Sequence, residues 1–181
     1  EKHSLFERLD ALKKEAEELA IKDYLTGLYN RRELERILSY EISKSIRYDS
    51  SFQLMMIDLD EFKSINDRFG HSEGDRVLKK FAKILKESVR KTDLVFRYGG
   101  DEFIVLIPGD DKMAVDKILK RIRDRFNKEF KTYIENLSFG FSFGYLIFPD
   151  DVGDVKEESE AMKLALKRVD EFLYYRKRRK T

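Results

Sequence analysis

Four carboxylates stand in two short stretches of the 181-residue chain. Asp58 and Asp60 close the apolar run Met55-Met56-Ile57-Asp58-Leu59-Asp60, and Asp101 and Glu102 directly follow Gly99 and Gly100. If the run is a strand, its alternation sends Asp58 and Asp60 to one face. Two acids there repel unless a cation joins them, and Mg2+ takes one or two carboxylates and completes its shell with substrate phosphates. Asp60 alone reads equally well as the cap of a following helix. If the two stretches lie side by side, four carboxylates converge, and like charges within about 4–6 Å raise one another's pKa. An acidic surface turn is the alternative for Asp101 and Glu102, and the lesser one once the flanking residues are counted.

Groups suited to phosphate and to a purine base lie nearby in sequence. The backbone of residues 60–63 would open a helix whose free N–H groups and positive dipole end suit phosphate oxygens, and Lys63 adds a charge one turn in. Asn66 and Asp75 lie either side of Phe69-Gly70-His71. An amide and a carboxylate together match guanine's edge, accepting from N1 and N2 and donating to O6, although each alone is more often a cap or turn residue. His71, at a helix junction, reads as satisfying backbone groups rather than as a catalytic residue, and His3 as an ordinary helix residue. Arg90 and Asp93 bracket a helix-to-strand connection. An arginine fork there can grip a phosphate or the O6/N7 edge of guanine while the acid orients it, yet chemistry alone favours a simple ion pair. The basic run of residues 177–180 reads as a solvated helix end, from which Lys177 reaches a triphosphate if that helix packs beside the acidic tip.

The elements that must position these groups follow from periodicity. Leu5, Leu9, Leu12, Ala16 and Leu19 recur in steps of four and three, laying a narrow seam along a helix. This reads as a coiled-coil stalk over residues 1–22, with a helix packed on its own domain as the alternative, ahead of one domain over residues 23–181. Helices are predicted over 31–48, from about 61 to 69, from about 73 to 90, over 113–130 and over 157–179. Strands are predicted over 52–59, 94–98 and 102–107, with 137–148 a strand region broken by Gly140 and Gly144. The middle pair forms a hairpin in which Gly99 and Gly100 supply positive φ angles. Interleaved helices and strands with one direct hairpin give a mixed α/β or α+β sheet flanked by helices.

Composition bounds the rest. Hydrophobic residues make up 41% and charged residues 40%, and no apolar run approaches the length of a membrane span. No signal peptide is evident. The net charge of +2, from 37 basic and 35 acidic residues, lacks the excess that marks general nucleic-acid binding. The absence of cysteine excludes disulfides and thiolate metal sites and fits a reducing compartment, with the cytoplasm as the default. A first residue of Glu suggests a piece of a longer sensor protein, with no direct membrane contact from this part.

The string Arg97-Tyr98-Gly99-Gly100-Asp101-Glu102-Phe103 resembles the signature of the GGDEF family of diguanylate cyclases. It has company. Asp23-Tyr24-Leu25-Thr26-Gly27-Leu28-Tyr29-Asn30-Arg31-Arg32 is similar to the family's first motif, and Asp58-x-Asp60-x-Phe62-Lys63-x-x-Asn66-Asp67-x-x-Gly70-His71-x-x-Gly74-Asp75 to its second block. Ser142-Phe143-Gly144 and Val169-Asp170-Glu171-Phe172-Leu173-Tyr174 are similar to its last two segments. Glu61 departs from the pattern, where an aromatic or histidine is common, and Arg178-Arg179-Lys180-Thr181 replaces the usual Gly-Arg-Asn ending.

The resemblance implies a palm-like, ferredoxin-like and mostly antiparallel sheet, and a homodimer in which two domains face each other with one GTP apiece. It implies Mg2+, with Mn2+ as an alternative, at Asp58, the Leu59 carbonyl and Asp101, with Glu102 assisting at a second metal. Asn66 and Asp75 would read guanine; Phe62, Lys63 and Lys177 would hold phosphates beside Gly99 and Gly100. Each 3′-hydroxyl would attack the α-phosphate of the opposite GTP, with Asp101 accepting the proton. Arg90 and Asp93 match the family's RxxD inhibitory site for cyclic di-GMP, and Arg121 is a candidate second arginine. The competing readings are a catalytically inactive receptor of the same fold for cyclic di-GMP or GTP, and a coiled-coil interaction module. The unaltered signature over residues 99–103 favours the active enzyme.

Overall fold

The first apolar run resolves into a strand with two buried faces. β1 (Phe52–Asp60) turns Met55, Ile57 and Leu59 into one core and Phe52, Leu54 and Met56 into another. A strand covered on both sides has no polar face to alternate, which is why its sequence reads as continuous. The computed structural model describes residues 2–178, the side chains of Lys2, His3, Arg176 and Arg178 excepted. The readings of His3 and of the basic tail after Lys177 lie outside the described residues.

Around β1 the chain runs α1 (Lys2–Ile21), α2 (Arg31–Tyr48), β1, α3 (Phe62–Phe69), α4 (His71–Ser88), β2 (Leu94–Arg97), β3 (Glu102–Pro108), α5 (Lys112–Glu129), α6 (Lys131–Leu137), β4 (Gly140–Phe148) and α7 (Glu158–Arg178). The strands order β2-β3-β1-β4 with every neighbour antiparallel. Helices α4 and α5 cover one face through Val77, Phe81, Leu85, Ile118, Ile122 and Phe126. Helices α2 and α7 cover the other through Leu34, Leu38, Ile42, Ala165, Val169 and Leu173.

Local chemistry starts α2 where it does. The Asn30 side chain accepts from the Glu33 backbone N–H at 2.9 Å, satisfying one of the free donors of the first turn. Leu34, Leu38 and Ile42 then fall four apart on one stripe and are fully buried, each contributing about 1.5–3 kcal/mol of transfer free energy. Before α2, the Asp23 carboxylate accepts from the Thr26 N–H and hydroxyl at 2.8 and 2.7 Å, and Gly27 turns the chain at φ 70°. The turn is anchored to the sheet because Arg97 N–H donates to the Tyr29 carbonyl at 2.9 Å.

Along α1 the predicted seam faces solvent: Leu5, Leu9, Leu12 and Leu19 are 54–71% exposed. The alternative of a helix packed on its own domain is therefore not what forms. No helix among the described residues is long and apolar enough to cross a membrane.

Two expectations are corrected. The strand region at 137–148 is not broken: β4 runs unbroken through Gly144, paired to β1 along its whole length. Glycine is needed there for close packing, since a Cβ at Gly144 would lie 2.3 Å from Leu173 N and 2.8 Å from Val169 O of α7. The stretch before β4 holds α6, a seven-residue helix with no fully buried residue, whose Tyr133, Ile134 and Leu137 pack partly buried against the core over too short a run to show a clear period.

The Gly144 contact is with backbone, which cannot rotate away. Gly144→Ala is expected to destabilise the fold by about 2–3 kcal/mol, the upper part of the range for overpacking, because α7 must lift off β4. Urea unfolding measures this; an unchanged midpoint would show that α7 has room to shift.

Candidate functional site

Antiparallel register brings the two acidic stretches together. β1 pairs with β3 so that Asp58 stands opposite Glu102, and Leu59 N–H donates to the Asp101 carbonyl at 3.2 Å. Asp58 has the parity of Phe52, Leu54 and Met56, so it points to the face that α7 covers. From α7 the Lys177 ammonium reaches Asp58 Oδ2 at 2.6 Å and lies 3.8 Å from Asp60 Oδ1. One cation thus bridges both acids of β1, as their shared face requires.

The acids crowd without meeting at one point. Among the described residues no three acidic or histidine groups share a coordination centre. That corrects the expected convergence of four carboxylates: the register makes them neighbours, and the ammonium of Lys177 stands between those of β1. Burial pushes Asp58 above the usual carboxylate range; Asp101 and Asp60 add to this and Lys177 opposes it. Burial likewise raises Glu102, reinforced by Asp58, Asp101 and Asp170. Burial works against the charge on Lys177, yet Asp58, Asp60 and Asp101 together hold it above the ordinary lysine value. Asp58 Oδ1 is buried with no hydrogen-bond partner, and such an atom in an acid cluster is a natural ligand for a further cation. The donor set therefore fits a hard divalent ion.

Asp60 does not cap α3. Glu61 takes that position in the left-handed region at φ 61°, and Asp60 instead accepts from the Ser142 hydroxyl at 2.8 and 2.9 Å. In the first turn of α3, Phe62 is half-buried against the core and Lys63 is exposed. Asn66, farther along α3, carries a buried Oδ1 with no partner. A Cβ at Gly74 would lie 1.9 Å from that oxygen, so Gly74 makes room for the amide. Asp75, one residue on, is exposed, as is His71 at the start of α4.

The tip between β2 and β3 corrects a second turn assignment. Neither Gly99 nor Gly100 lies among the positive-φ residues. Four residues span the tip rather than two, and Tyr98 and Gly99 N–H groups both donate to the Glu102 carbonyl at 2.8 and 3.2 Å. Gly99 is instead required for space, since a Cβ there would fall 2.6 Å from Glu102 Oε2. Arg97 fixes the tip by donating to the Gly100 carbonyl at 2.9 Å and to both oxygens of Asp23 at 3.1 Å. The sequence reading gave no role to Arg97, Ser142 or Asp170, though all three fall within the quoted motifs.

At the opposite end of β2, Arg90 Nε and Nη2 each donate to Asp93 at 3.3 Å, and the Asp93 side chain is fully buried. The two side chains thus pair with each other, with the guanidinium half exposed. Arg121 Nε donates to the Ser88 carbonyl at 2.6 Å, which puts it beside the same connection.

Comparison with known proteins points one way. The family model described as diguanylate cyclase, GGDEF domain matches residues 20–181. The diguanylate cyclase DgcP of Pseudomonas aeruginosa is 34% identical over 97% of this chain and 26% of its own length. The chain spans about a quarter to a third of the length of the curated relatives it matches. Among solved structures, diguanylate cyclase SiaD of Pseudomonas aeruginosa, in complex with its activator SiaC, superposes with a TM-score of 0.73 at 31% identity, covering 98% of this chain and 65% of that one. The GGDEF domain of DgcB from Caulobacter crescentus, in complex with c-di-GMP, gives 0.69 at 25% identity over 88% of this chain and 91% of that one.

Crowding at Glu102 has a measurable consequence. Because its folded pKa is raised, it contributes stability that is lost as pH climbs from the ordinary glutamate range through the folded value. In chelator, Glu102→Gln should therefore melt at a higher temperature than wild type at neutral pH, the gap closing as pH falls below the usual carboxylate range. Equal melting temperatures at both pH values would mean that the acids do not destabilise one another.

Proposed function

The chain belongs to the GGDEF family of diguanylate cyclases, and we propose that residues 23–181 join two molecules of GTP into cyclic di-GMP, with residues 1–22 as a stalk that pairs two chains. The observation that carries this reading is the pairing of Asp58 with Glu102 across β1 and β3 beneath Lys177.

Asp58, the Leu59 carbonyl, Asp101 and Glu102 would hold Mg2+ or Mn2+, which supplies Lewis-acid polarisation of the α-phosphate and lowers the pKa of the attacking hydroxyl. The 3′-oxygen of one GTP bonds to the α-phosphorus of the other, the bond from that phosphorus to the bridging oxygen breaks, and pyrophosphate leaves. Asp101, at the outward tip, accepts the proton of the 3′-hydroxyl. Lys177 moves from Asp58 to the phosphates it then neutralises, aided by Phe62, Lys63 and the close backbone of Gly99 and Gly100. Asn66 and Asp75 read guanine, the amide through an oxygen already buried and unpartnered. Each chain supplies half of the reacting pair, so the working unit is a homodimer, and the exposed seam of α1 offers an apolar surface for it. We place the reaction in the cytoplasm, where GTP is available.

Arg90 and Asp93, with Arg121 beside them, form the product site. The half-exposed guanidinium can exchange its contact with Asp93 for a guanine edge without breaking the backbone bond from Arg90 N–H to Asp93 at 2.8 Å.

Chromatography of the products formed from GTP with Mg2+ or Mn2+ tests the reading. Cyclic di-GMP should appear, with a rate per chain that rises with protein concentration, and Asp101→Ala or Glu102→Ala should lower it by about 100- to 10,000-fold. Normal turnover in both variants would remove the proposed chemistry. Gly74→Ala should raise the GTP concentration needed for half-maximal rate, since the added methyl displaces Asn66. Arg90→Ala should keep turnover but weaken inhibition by added cyclic di-GMP; unchanged inhibition would leave the pair with a structural role alone.

A further inference from the structure

A second charged cavity, of about 450 Å3, opens between the turn that follows α1 and the end of α4. Four cations line it, Lys22, Lys86, Arg90 and Lys91, against a single acid, Asp93, which is already engaged by Arg90. Its apolar floor includes Leu28 and Val95, both buried. Among the described residues, Lys22, Lys86 and Lys91 have no carboxylate within salt-bridge distance. The Lys22 ammonium is held 3.6 Å from the centroid of the Tyr29 ring, positioned by the bridge that pairs these two residues. Burial lowers the Lys22 pKa and the charge of Lys86 lowers it further, with Glu18 and Glu33 opposing. Two ammonium groups thus repel across a concave, partly apolar space, and an anion placed between them relieves that repulsion.

We propose that this cavity is a phosphate site, in which Lys22 and Lys86 bind the phosphate oxygens of a nucleotide or of pyrophosphate. For a cyclic dinucleotide, the inference rests on the reading of Arg90 and Asp93 as a base-binding pair: the base lies on that turn and a phosphate reaches inward to the lysines. Phosphate binding by the lysines stands apart from that reading. Lys22 is the first residue after α1, whose end is fixed by a bond from Asn30 Nδ2 to the Ala20 carbonyl at 2.9 Å, so an anion held here sits at the junction of stalk and domain.

Equilibrium dialysis of the whole chain in chelator, with labelled cyclic di-GMP and separately with labelled pyrophosphate, tests this. Lys22→Gln and Lys86→Gln should each weaken binding of both by about 5- to 30-fold, as loss of a charge-assisted hydrogen bond does, while Lys22→Arg retains most of it. Arg90→Ala should weaken the dinucleotide far more than pyrophosphate. Dinucleotide binding that needs Arg90 but ignores both lysines would overturn the phosphate site and leave the product reading intact. Lysine-dependent pyrophosphate binding without dinucleotide binding would support the phosphate site and remove the product reading. Binding of neither would overturn both. Circular dichroism of each variant separates these outcomes from loss of fold.

Discussion

Repulsion between acids that the backbone will not let apart is the constraint around which this molecule is organised. The β1–β3 ladder sets Asp58 opposite Glu102 and ties Leu59 to Asp101, and both strands are locked by apolar cores on either side. The carboxylates cannot relax by moving away. They can be relieved only by protonation or by positive charge, and the fold brings one cation of its own, Lys177, from a helix packed on the neighbouring strand. That delivery depends on Gly144, where a missing side chain lets α7 approach β4 closely enough for its last turns to pass over the end of β1. A steric choice midway along the edge strand β4 thereby bears on an electrostatic balance at the ends of the two central strands.

The same economy of small residues recurs at the other side of the site. Gly74 leaves space for the Asn66 amide and Gly99 leaves space for the Glu102 carboxylate. In all three places glycine serves by what it omits rather than by unusual backbone angles, and each omission faces a polar group. Left-handed backbone is used elsewhere, at Gly27 in the turn before α2 and at Gly70 between α3 and α4.

Much of the architecture was legible in the sequence because periodicity reports burial directly. The stripe of Leu34, Leu38 and Ile42 and the acid-terminated run of β1 each carry a one-dimensional signature of a three-dimensional face. What escaped was set by partners distant in the chain. Gly144 looks like a strand breaker until α7 lies across it, and Gly99-Gly100 looks like a two-residue turn until the tip is seen to span four. Asp60 looks like a cap, yet Ser142, 82 residues away, claims it. Helix α6 escaped because it is only seven residues long and leans on the core through three partly buried residues, Tyr133, Ile134 and Leu137, too few for a clear period. The acidic residues themselves were identifiable, whereas the ammonium between them emerges only once β1 and α7 are adjacent.

The turn joining α1 to the domain is short and is stitched at several points: Asp23 to Arg97, Arg97 to the Gly100 carbonyl, the Tyr29 carbonyl to β2, and Asn30 back to the last turn of α1. Each stitch is a hydrogen bond or ion pair of ordinary length, between 2.9 and 3.1 Å. The end of α1 is thereby tied at once to the turn that follows it and to Arg97, the residue that leads into the acidic tip, so the helix and the acids share one short run of contacts.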